Sequence, residues 1–271
     1  MRLTILILTM LIWTITYGQL DKLKGTWVSN SNDVMVINDT INKYSNSNML
    51  CTSERDEGRA FYLFGDTLSF QERYYSSETN YKKLYVFRYD LLIIGKTDSS
   101  LTVRPISKLS MKFFNNRTDL KFIKQEYNKD KTIIFEKIIY HTTFCFGSCP
   151  TIDLEIDNDK YIYLSGKFHE GDSEYKIDSL KSGQFKGKLT ERLYNELIAI
   201  LQTTNLRTLE FPEKIGEDAP VTTLIIYFNG QRKYFKSMFP PTIADRLIKF
   251  LYVINQRTEL TRTNEIRTLE K

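Results

Sequence analysis

The sequence predicts a mainly β protein with two domains: a small antiparallel β-barrel or sandwich, followed by an α+β domain with two helices packed on one face of an antiparallel sheet. Short runs of alternating apolar and polar residues, separated by turn residues, fill the chain up to about residue 128. This order is typical of all-β domains. Beyond that point, strand-like runs alternate with two stretches that carry apolar residues at helical spacing. Such a mixture is typical of an α+β domain.

Residues 1–18 have the order of a secretory signal peptide. Arg2 is followed by an apolar run from Leu3 to Ile15 and then by a short stretch that ends at Gly18, which is the pattern of an export signal with its cleavage site. A membrane helix needs roughly 20 apolar residues, so we predict cleavage, with an uncleaved anchor as the alternative. No later run is long enough to span a bilayer. We therefore expect an extracytoplasmic protein, periplasmic or secreted.

Composition and motifs exclude several classes of function. The chain has 38 Lys and Arg against 33 Asp and Glu, and the small basic excess is spread along it, whereas nucleic-acid binding needs a concentrated basic patch. The sequence has no Gly-x-Ser-x-Gly elbow, no His-Glu-x-x-His and no phosphate-binding glycine loop. We therefore predict that the protein is not an enzyme and does not bind nucleic acid.

The first domain, residues 19–128, is predicted to consist of strands alone. Turn residues separate the strand-like runs at Gly65-Asp66, at Gly95 and at Asp98-Ser99-Ser100. No window with helical periodicity is found in this domain. The predicted runs are GTWV, DVMVIND, AFYLFGDTLSFQERYY, KKLYVFRYDLLIIG, SSLTVRPIS and DLKFIKQEY.

The opening of this domain, Gly25-Thr26-Trp27, resembles the Gly-x-Trp start of lipocalin-like domains, in which the Trp closes one end of a meandering barrel. The resemblance covers about residues 20–128 and implies a barrel that could enclose a small apolar ligand. A barrel of this size can equally be filled by its own side chains, and we favour that interpretation.

A polar linker at 127–132 leads into the second domain, residues 129–258, which starts with three strand-like runs. A helix is predicted in LTERLYNELIAILQTTNL, with Thr190 as its N-cap. Asn229-Gly230 predicts a tight hairpin turn. Pro240-Pro241-Thr242 then starts a second helix, with a capping-box-like pair of Thr242 and Asp245. The tail, residues 259–271, has few apolar residues and is predicted to be mobile.

This second half resembles a family of uncharacterised domains of exported bacterial proteins. The resemblance is carried by Cys145-Phe146-Gly147-Ser148-Cys149-Pro150, Asp218-Ala219-Pro220, Asn229-Gly230 and Pro240-Pro241, in that order. Two family features are absent: Ile152 stands where a Tyr is usual, and Asn158-Asp159 where the first hairpin has a Gly. The resemblance implies a fold and a compartment, and no activity.

Cys145 and Cys149 are the principal candidate site residues. Gly147 tolerates positive φ and Pro150 disfavours helix before it, so a tight loop can bring the two sulfurs together. Export permits disulfides, and we predict a structural bond between these two. A redox pair is the alternative, although it would want a helix N-terminus. Cys51 is left over and is expected to be buried and inert.

A metal site is the second alternative at these cysteines. The Cys-x-x-x-Cys-Pro spacing resembles the copper-carrying loop of thioredoxin-like copper chaperones, which add a distant His. His141 and His169 flank the motif, and thiolates with imidazoles suit copper(I) or zinc. The favoured prediction has no cofactor.

Asp153, Glu155 and Asp157 alternate along one predicted strand, so their carboxylates share a face. We expect this face to be solvated, with a calcium site as the alternative. Taken together, the sequence predicts an exported, non-catalytic binding or interaction protein. Its partner would be an unidentified protein or a small apolar ligand.

Overall fold

The computed structural model describes residues 21–38, 48–52, 56–145, 147–171, 176–212, 216 and 218–271. The predicted signal peptide, residues 1–18, lies outside the described residues. The chain divides into two compact units between Asn128 and Lys129. Both units are built on antiparallel sheets, which confirms the predicted fold class. No helix within the described ranges is long and apolar enough to cross a membrane.

The N-terminal unit is one curled antiparallel sheet of nine strands in the order β4-β3-β2-β1-β9-β8-β7-β6-β5. A single residue, Arg59, separates the edge strands β4 and β5. The two edges must therefore lie close together, and the sheet wraps into a barrel-like shape. The strands are β1 (Gly25–Ser29), β2 (Val34–Ile37), β3 (Met49–Cys51), β4 (Asp56–Gly58), β5 (Ala60–Phe64), β6 (Thr67–Tyr75), β7 (Leu84–Lys96), β8 (Ser100–Pro105) and β9 (Leu120–Lys124).

One continuous apolar cluster forms the core of this sheet. Trp27, Phe61, Phe70 and Phe122 belong to it, and each is at most 2 % exposed. The indole Nε1 of Trp27 donates a hydrogen bond to the Leu23 carbonyl oxygen at 2.7 Å, so its polar atom is satisfied inside the core. Among the described residues, the unit's own side chains thus form a continuous packed cluster inside the sheet.

The expectation of a helix-free first domain is wrong, since residues 21–23 are helical and a second helix is complete within the described residues. Helix α1 (Lys108–Phe113) follows β8. Ser107 caps it, because its hydroxyl accepts from the Ser110 amide while the Ser110 hydroxyl accepts from the Ser107 amide. Six residues are too few to show helical periodicity in the sequence, and the cap makes up for the short length.

The C-terminal unit is a seven-stranded antiparallel sheet in the order β15-β14-β10-β11-β12-β13-β16, accompanied by two helices. Its elements are β10 (Phe135–Thr142), β11 (Thr151–Asp157), β12 (Tyr161–Lys167), β13 (Gly183–Lys188), α2 (Glu191–Thr203), β14 (Thr222–Phe228), β15 (Gln231–Ser237), α3 (Asp245–Tyr252) and β16 (Leu260–Arg262).

Two local predictions in this unit are confirmed. Asn229 and Gly230 have φ values of 52° and 69°, as a tight hairpin turn requires, and they join β14 to β15 in the register Phe228↔Gln231. Thr190 is the N-cap of α2, where its hydroxyl accepts from the Leu193 amide at 3.3 Å.

The predicted start of the second helix is corrected. Residues Thr242–Ala244 form a 3-10 turn, and α3 begins at Asp245 with Ala244 in the N-cap position. Thr242 is therefore not the cap of this helix. The predicted apolar side is confirmed, since all its members are buried: Ile243, Leu247, Phe250, Leu251 and Ile254.

The two faces of the C-terminal sheet differ. Along β11, the side chains of Ile152, Leu154 and Ile156 are buried on one face and alternate with the carboxylates on the other. We call the second face the open face. It presents Lys137, Ile139, His141, Asp153, Glu155, Tyr163, Ile225, Tyr227 and Arg232, as the strand register places them.

The expectation of a mobile tail at residues 259–271 is corrected by its contacts. Leu260–Arg262 form the edge strand β16, which pairs with β13. Residues 263–271, which we call the strap, then cross the open face, and Leu269 is only 8 % exposed. The segment was predicted to be mobile because it is polar and no neighbouring residues could pack against it. In the structure, its packing partners come from strands that are distant in the chain.

Candidate functional site

The predicted disulfide is present in the corner between β10 and β11. Cys145 and Cys149 are bonded, with their Cα atoms 5.5 Å apart. Gly147 between them has φ 144°, a conformation that favours glycine. The Thr142 hydroxyl donates to the Pro150 carbonyl at 3.0 Å, so a hydrogen bond and a covalent bond both close the corner. A strand follows the second cysteine, as expected for a structural disulfide and unlike a helix-based redox pair.

The motif Asp218-Ala219-Pro220 lies beside this corner. Thr143 donates from its amide to the Val221 carbonyl at 3.1 Å, and the Val221 amide donates to the Thr143 hydroxyl at 2.9 Å. Asp218 has φ 70° and turns the chain toward β14. The two motifs therefore meet at one end of the sheet, where their contacts are structural.

The alternative metal set, Cys145, Cys149, His141 and His169, is not gathered into a site. The two sulfurs are bonded to each other, and both ring nitrogens of His141 face protein acceptors. His169 lies in an isolated β-bridge with Ile177. Within the described part of the chain, no three His, Cys, Asp or Glu side chains are grouped so that they could hold a metal ion.

The open face carries an apolar seat for Leu269. This side chain packs against Ile139, Tyr163 and Ile225, with Tyr227 next to them. We call these four residues the Leu269 seat. They come from β10, β12 and β14, so the seat exists only after the sheet has formed.

The next residue of the strap, Glu270, is held by polar groups beside the seat. Its carboxylate accepts from Arg232 Nε at 2.7 Å and from the Tyr227 hydroxyl. Its backbone carbonyl lies 2.6 Å from His141 Nε2. The sheet thus contacts both the side chain and the main chain of Glu270. The side-chain contacts favour a carboxylate at this position, and the main-chain contact holds the strap in place.

Earlier strap residues cross the other strands in order. The Tyr163 hydroxyl on β12 donates to the Glu265 carbonyl at 3.2 Å and accepts from the Arg267 amide at 3.1 Å. Arg267 also pairs with Glu155 on β11 at 3.3 Å. The strap therefore runs across the strands from the β16 edge toward the β15 edge, and not along any one of them.

The expectation of a fully solvated carboxylate face is corrected by these contacts. Asp153 Oδ1 lies 2.5 Å from His141 Nδ1, and Glu155 pairs with Arg267. The hydrogen bond from His141 is the main cause of a pKa of Asp153 below its ordinary value. The hydrogen bonds from Tyr227 and Arg232 likewise lower the pKa of Glu270.

His141 connects the sheet to the strap. Its Nδ1 lies 2.5 Å from the Asp153 carboxylate on β11, and its Nε2 lies 2.6 Å from the Glu270 carbonyl oxygen of the strap. One side chain of β10 therefore contacts both a neighbouring strand and the main chain of the strap.

Two hollows adjoin these elements. A cavity of about 550 Å³ lies beside the strap, with Glu155, Tyr161, Tyr163, Lys188 and Arg267 in its lining. A groove of about 930 Å³ lies along the edge strand β15, with Lys233, Phe235, Lys236 and residues 209–211 in its lining. The first hollow continues the surface that the strap already uses.

Comparison with known proteins finds a family match inside the C-terminal unit. Residues 136–252 match a family described as a domain of unknown function (DUF6438). The matched range runs from β10 to the end of α3 and contains the motif residues from Cys145 to Pro241, whereas the strap lies outside it. No curated protein matches the chain.

Sequence reasoning missed the residues that bind the strap. The seat and the Glu270 contacts involve strands far from the strap in the chain, so no local motif marks them. One signal was present: β10 contains Ile138-Ile139-Tyr140, and β14 contains Leu224-Ile225-Ile226. Continuous apolar runs of this kind are typical of strands that are buried on both faces.

Proposed function

We propose that this chain is an exported, non-catalytic binding protein that holds an extended segment of polypeptide on the open face of its C-terminal sheet. The observation that carries the proposal is the seated strap. An extended segment already occupies this face through the buried side chain of Leu269 and the doubly recognised Glu270. A surface that binds such a segment in cis has the chemistry to bind one in trans.

Export is supported by two independent features. The first 18 residues have the order of a signal peptide, and the disulfide between Cys145 and Cys149 persists in oxidising compartments. The N-terminal unit resembles lipocalin-like domains in its opening motif, but its described core is a packed cluster of its own apolar side chains. We therefore assign binding to the C-terminal unit.

A non-catalytic role is supported by how the polar groups of the open face are used. His141, Asp153, Arg232 and Tyr227 all make contacts that hold the strap or each other. Together with the lack of catalytic motifs in the sequence, this use favours recognition over chemistry.

Export is tested by intact-mass measurement of protein made with its own leader and collected outside the cytoplasm without reduction. The expected mass is that of a chain that starts at Gln19 and contains one disulfide. A full-length chain that remains in the cytoplasm with three reduced thiols would remove the support for export.

Binding is tested with a display library of random extended peptides. The protein carries Leu269→Ser and Glu270→Gln, so its strap no longer competes. Peptides should be retained by this protein and lost when Arg232→Ala is added, since Arg232 is a partly exposed residue of an edge strand and its loss should leave the fold intact. Failure to select any peptide would contradict the proposal.

A further inference from the structure

The chemistry of the open face defines which segment fits it. The Leu269 seat is lined by two isoleucine side chains and the rings of Tyr163 and Tyr227. Burying a leucine-sized side chain there removes apolar surface from water, and a polar side chain would lose its hydration without gaining a partner. The seat therefore selects an aliphatic residue.

The position after the aliphatic residue is selective for a carboxylate. Arg232 Nε and the Tyr227 hydroxyl both point hydrogens at the Glu270 side chain. An anionic carboxylate offers one oxygen to each donor, whereas an amide has a single carbonyl oxygen and no charge to pair with the guanidinium. Arg232 adds charge complementarity, with a guanidinium nitrogen 2.6 Å from Glu270 Oε1.

His141 adds a contact that depends on the main chain of the bound segment. Its Nε2 lies 2.6 Å from the carbonyl of the same residue whose side chain meets Arg232. Any L-residue supplies that carbonyl, but only when the chain passes over the sheet in the direction the strap takes. His141 thus fixes direction, while the seat and Arg232 fix sequence.

We infer that the partner of the open face is an extended segment in which an aliphatic residue is followed directly by an acidic one, and that the strap is a resident competitor that such a segment displaces. This inference rests on the proposed function. The tethered strap competes at an effective concentration of the order of millimolar. A peptide that binds the open face weakly therefore cannot displace it.

The test uses a fluorescently labelled peptide with the strap sequence TNEIRTLEK and measures its anisotropy. Three full-length proteins are compared: the natural chain, the chain with Leu269→Ser and Glu270→Gln, and that double variant with Arg232→Ala. The double variant should bind the peptide at least about tenfold more tightly than the natural chain, because its own strap no longer competes. Adding Arg232→Ala should reverse most of this gain.

Matched peptides test the two selective positions. Replacing the Leu of the peptide by Ala, or its Glu by Gln, should each weaken binding by about tenfold or more. Replacing the Ile that corresponds to Ile266, which is 82 % exposed in the strap, should change nothing. Equal binding of all these peptides, or no binding to the double variant, overturns the inference.

Two controls separate the possible failures. If the random library yields binders that lack an aliphatic–acidic pair, the proposed function stands and the inference about the partner is wrong. The single variant Leu269→Ala keeps the polar contacts of the strap and should rank the peptides in the same order. A different ranking in this variant would overturn the inference even if the double variant were poorly folded.

Discussion

The two units bury their sheets in different ways. In the N-terminal unit, the sheet wraps around one apolar cluster, and its edge strands β4 and β5 are separated by Arg59 alone. In the C-terminal unit, α2 and α3 accompany the sheet, and the strap crosses its open face. Leu269 is the one buried apolar side chain of the strap. The first arrangement distributes stability over many contacts. In the second arrangement, the strap covers the open face through only a few contacts. Such a segment can detach locally without unfolding the sheet.

The largest effect that distinguishes the two arrangements is expected in the N-terminal core. Phe122→Ala removes a side chain that is 0 % exposed and should cost about 3–5 kcal/mol of unfolding free energy. Urea unfolding followed by tryptophan fluorescence measures it directly, since the other tryptophan, Trp13, lies in the predicted leader. A loss below about 1 kcal/mol would mean that the core is less tightly packed than described.

The strap should respond locally to the matching substitution. Leu269→Ala should cost about 2 kcal/mol of strap docking, which corresponds to roughly thirtyfold faster exchange of the Arg267 amide hydrogen. Tryptophan-detected unfolding should stay unchanged. Ile266→Ala is the matched control, because Ile266 is exposed in the same segment, and an equal response of the two variants would contradict a specific seat.

The disulfide should contribute an effect of similar size to its unit. Cys145→Ser opens a short ring and should cost about 2 kcal/mol by the chain-entropy estimate. Thermal unfolding followed by circular dichroism should show a lower melting temperature for this variant, for Cys149→Ser and for the reduced natural chain. An unchanged melting temperature in all three would argue against a structural staple.

The smallest expected effect is the acid dependence of strap docking. The pKa values of Asp153 and Glu270 are lowered by their partners, so their contribution is present above the ordinary carboxylate pKa and is lost as the pH falls through the lowered values. The methyl NMR signals of Leu269 should therefore stay in the docked position throughout the ordinary carboxylate range. Release within that range would contradict the assigned hydrogen bonds.

Features that depend on neighbouring residues were predictable from the sequence. Asn229-Gly230 specifies a turn by its own backbone preferences, Thr190 specifies a helix start, and the spacing of Cys145 and Cys149 around Gly147 allows a bond within one loop. In each case the partners lie within a few residues of each other. Helix α1 was missed because six residues do not display a period.

The strap and its seat could not be located from local patterns. Leu269 is the one buried apolar residue of a polar segment, and its partners lie on β10, β12 and β14. The paired isoleucines of β10 and β14 indicate that something covers both faces of these strands, but they do not identify the cover. Only the three-dimensional arrangement connects the runs in the middle of the sheet with the strap.

The central claim is that the strap leaves the open face while the sheet stays folded, and alkylation of a thiol introduced by Leu269→Cys tests it most directly. Labelling sites are mapped by mass spectrometry without denaturant, with Ile266→Cys as the exposed reference and Cys51, which is 4 % exposed, as the buried one. We predict labelling at position 269 that is at least about tenfold slower than the reference, yet complete while Cys51 stays unlabelled and the amides of β10 and β11 in the same sample stay protected from hydrogen exchange. Labelling of position 269 only under conditions that unfold the C-terminal sheet would contradict the claim.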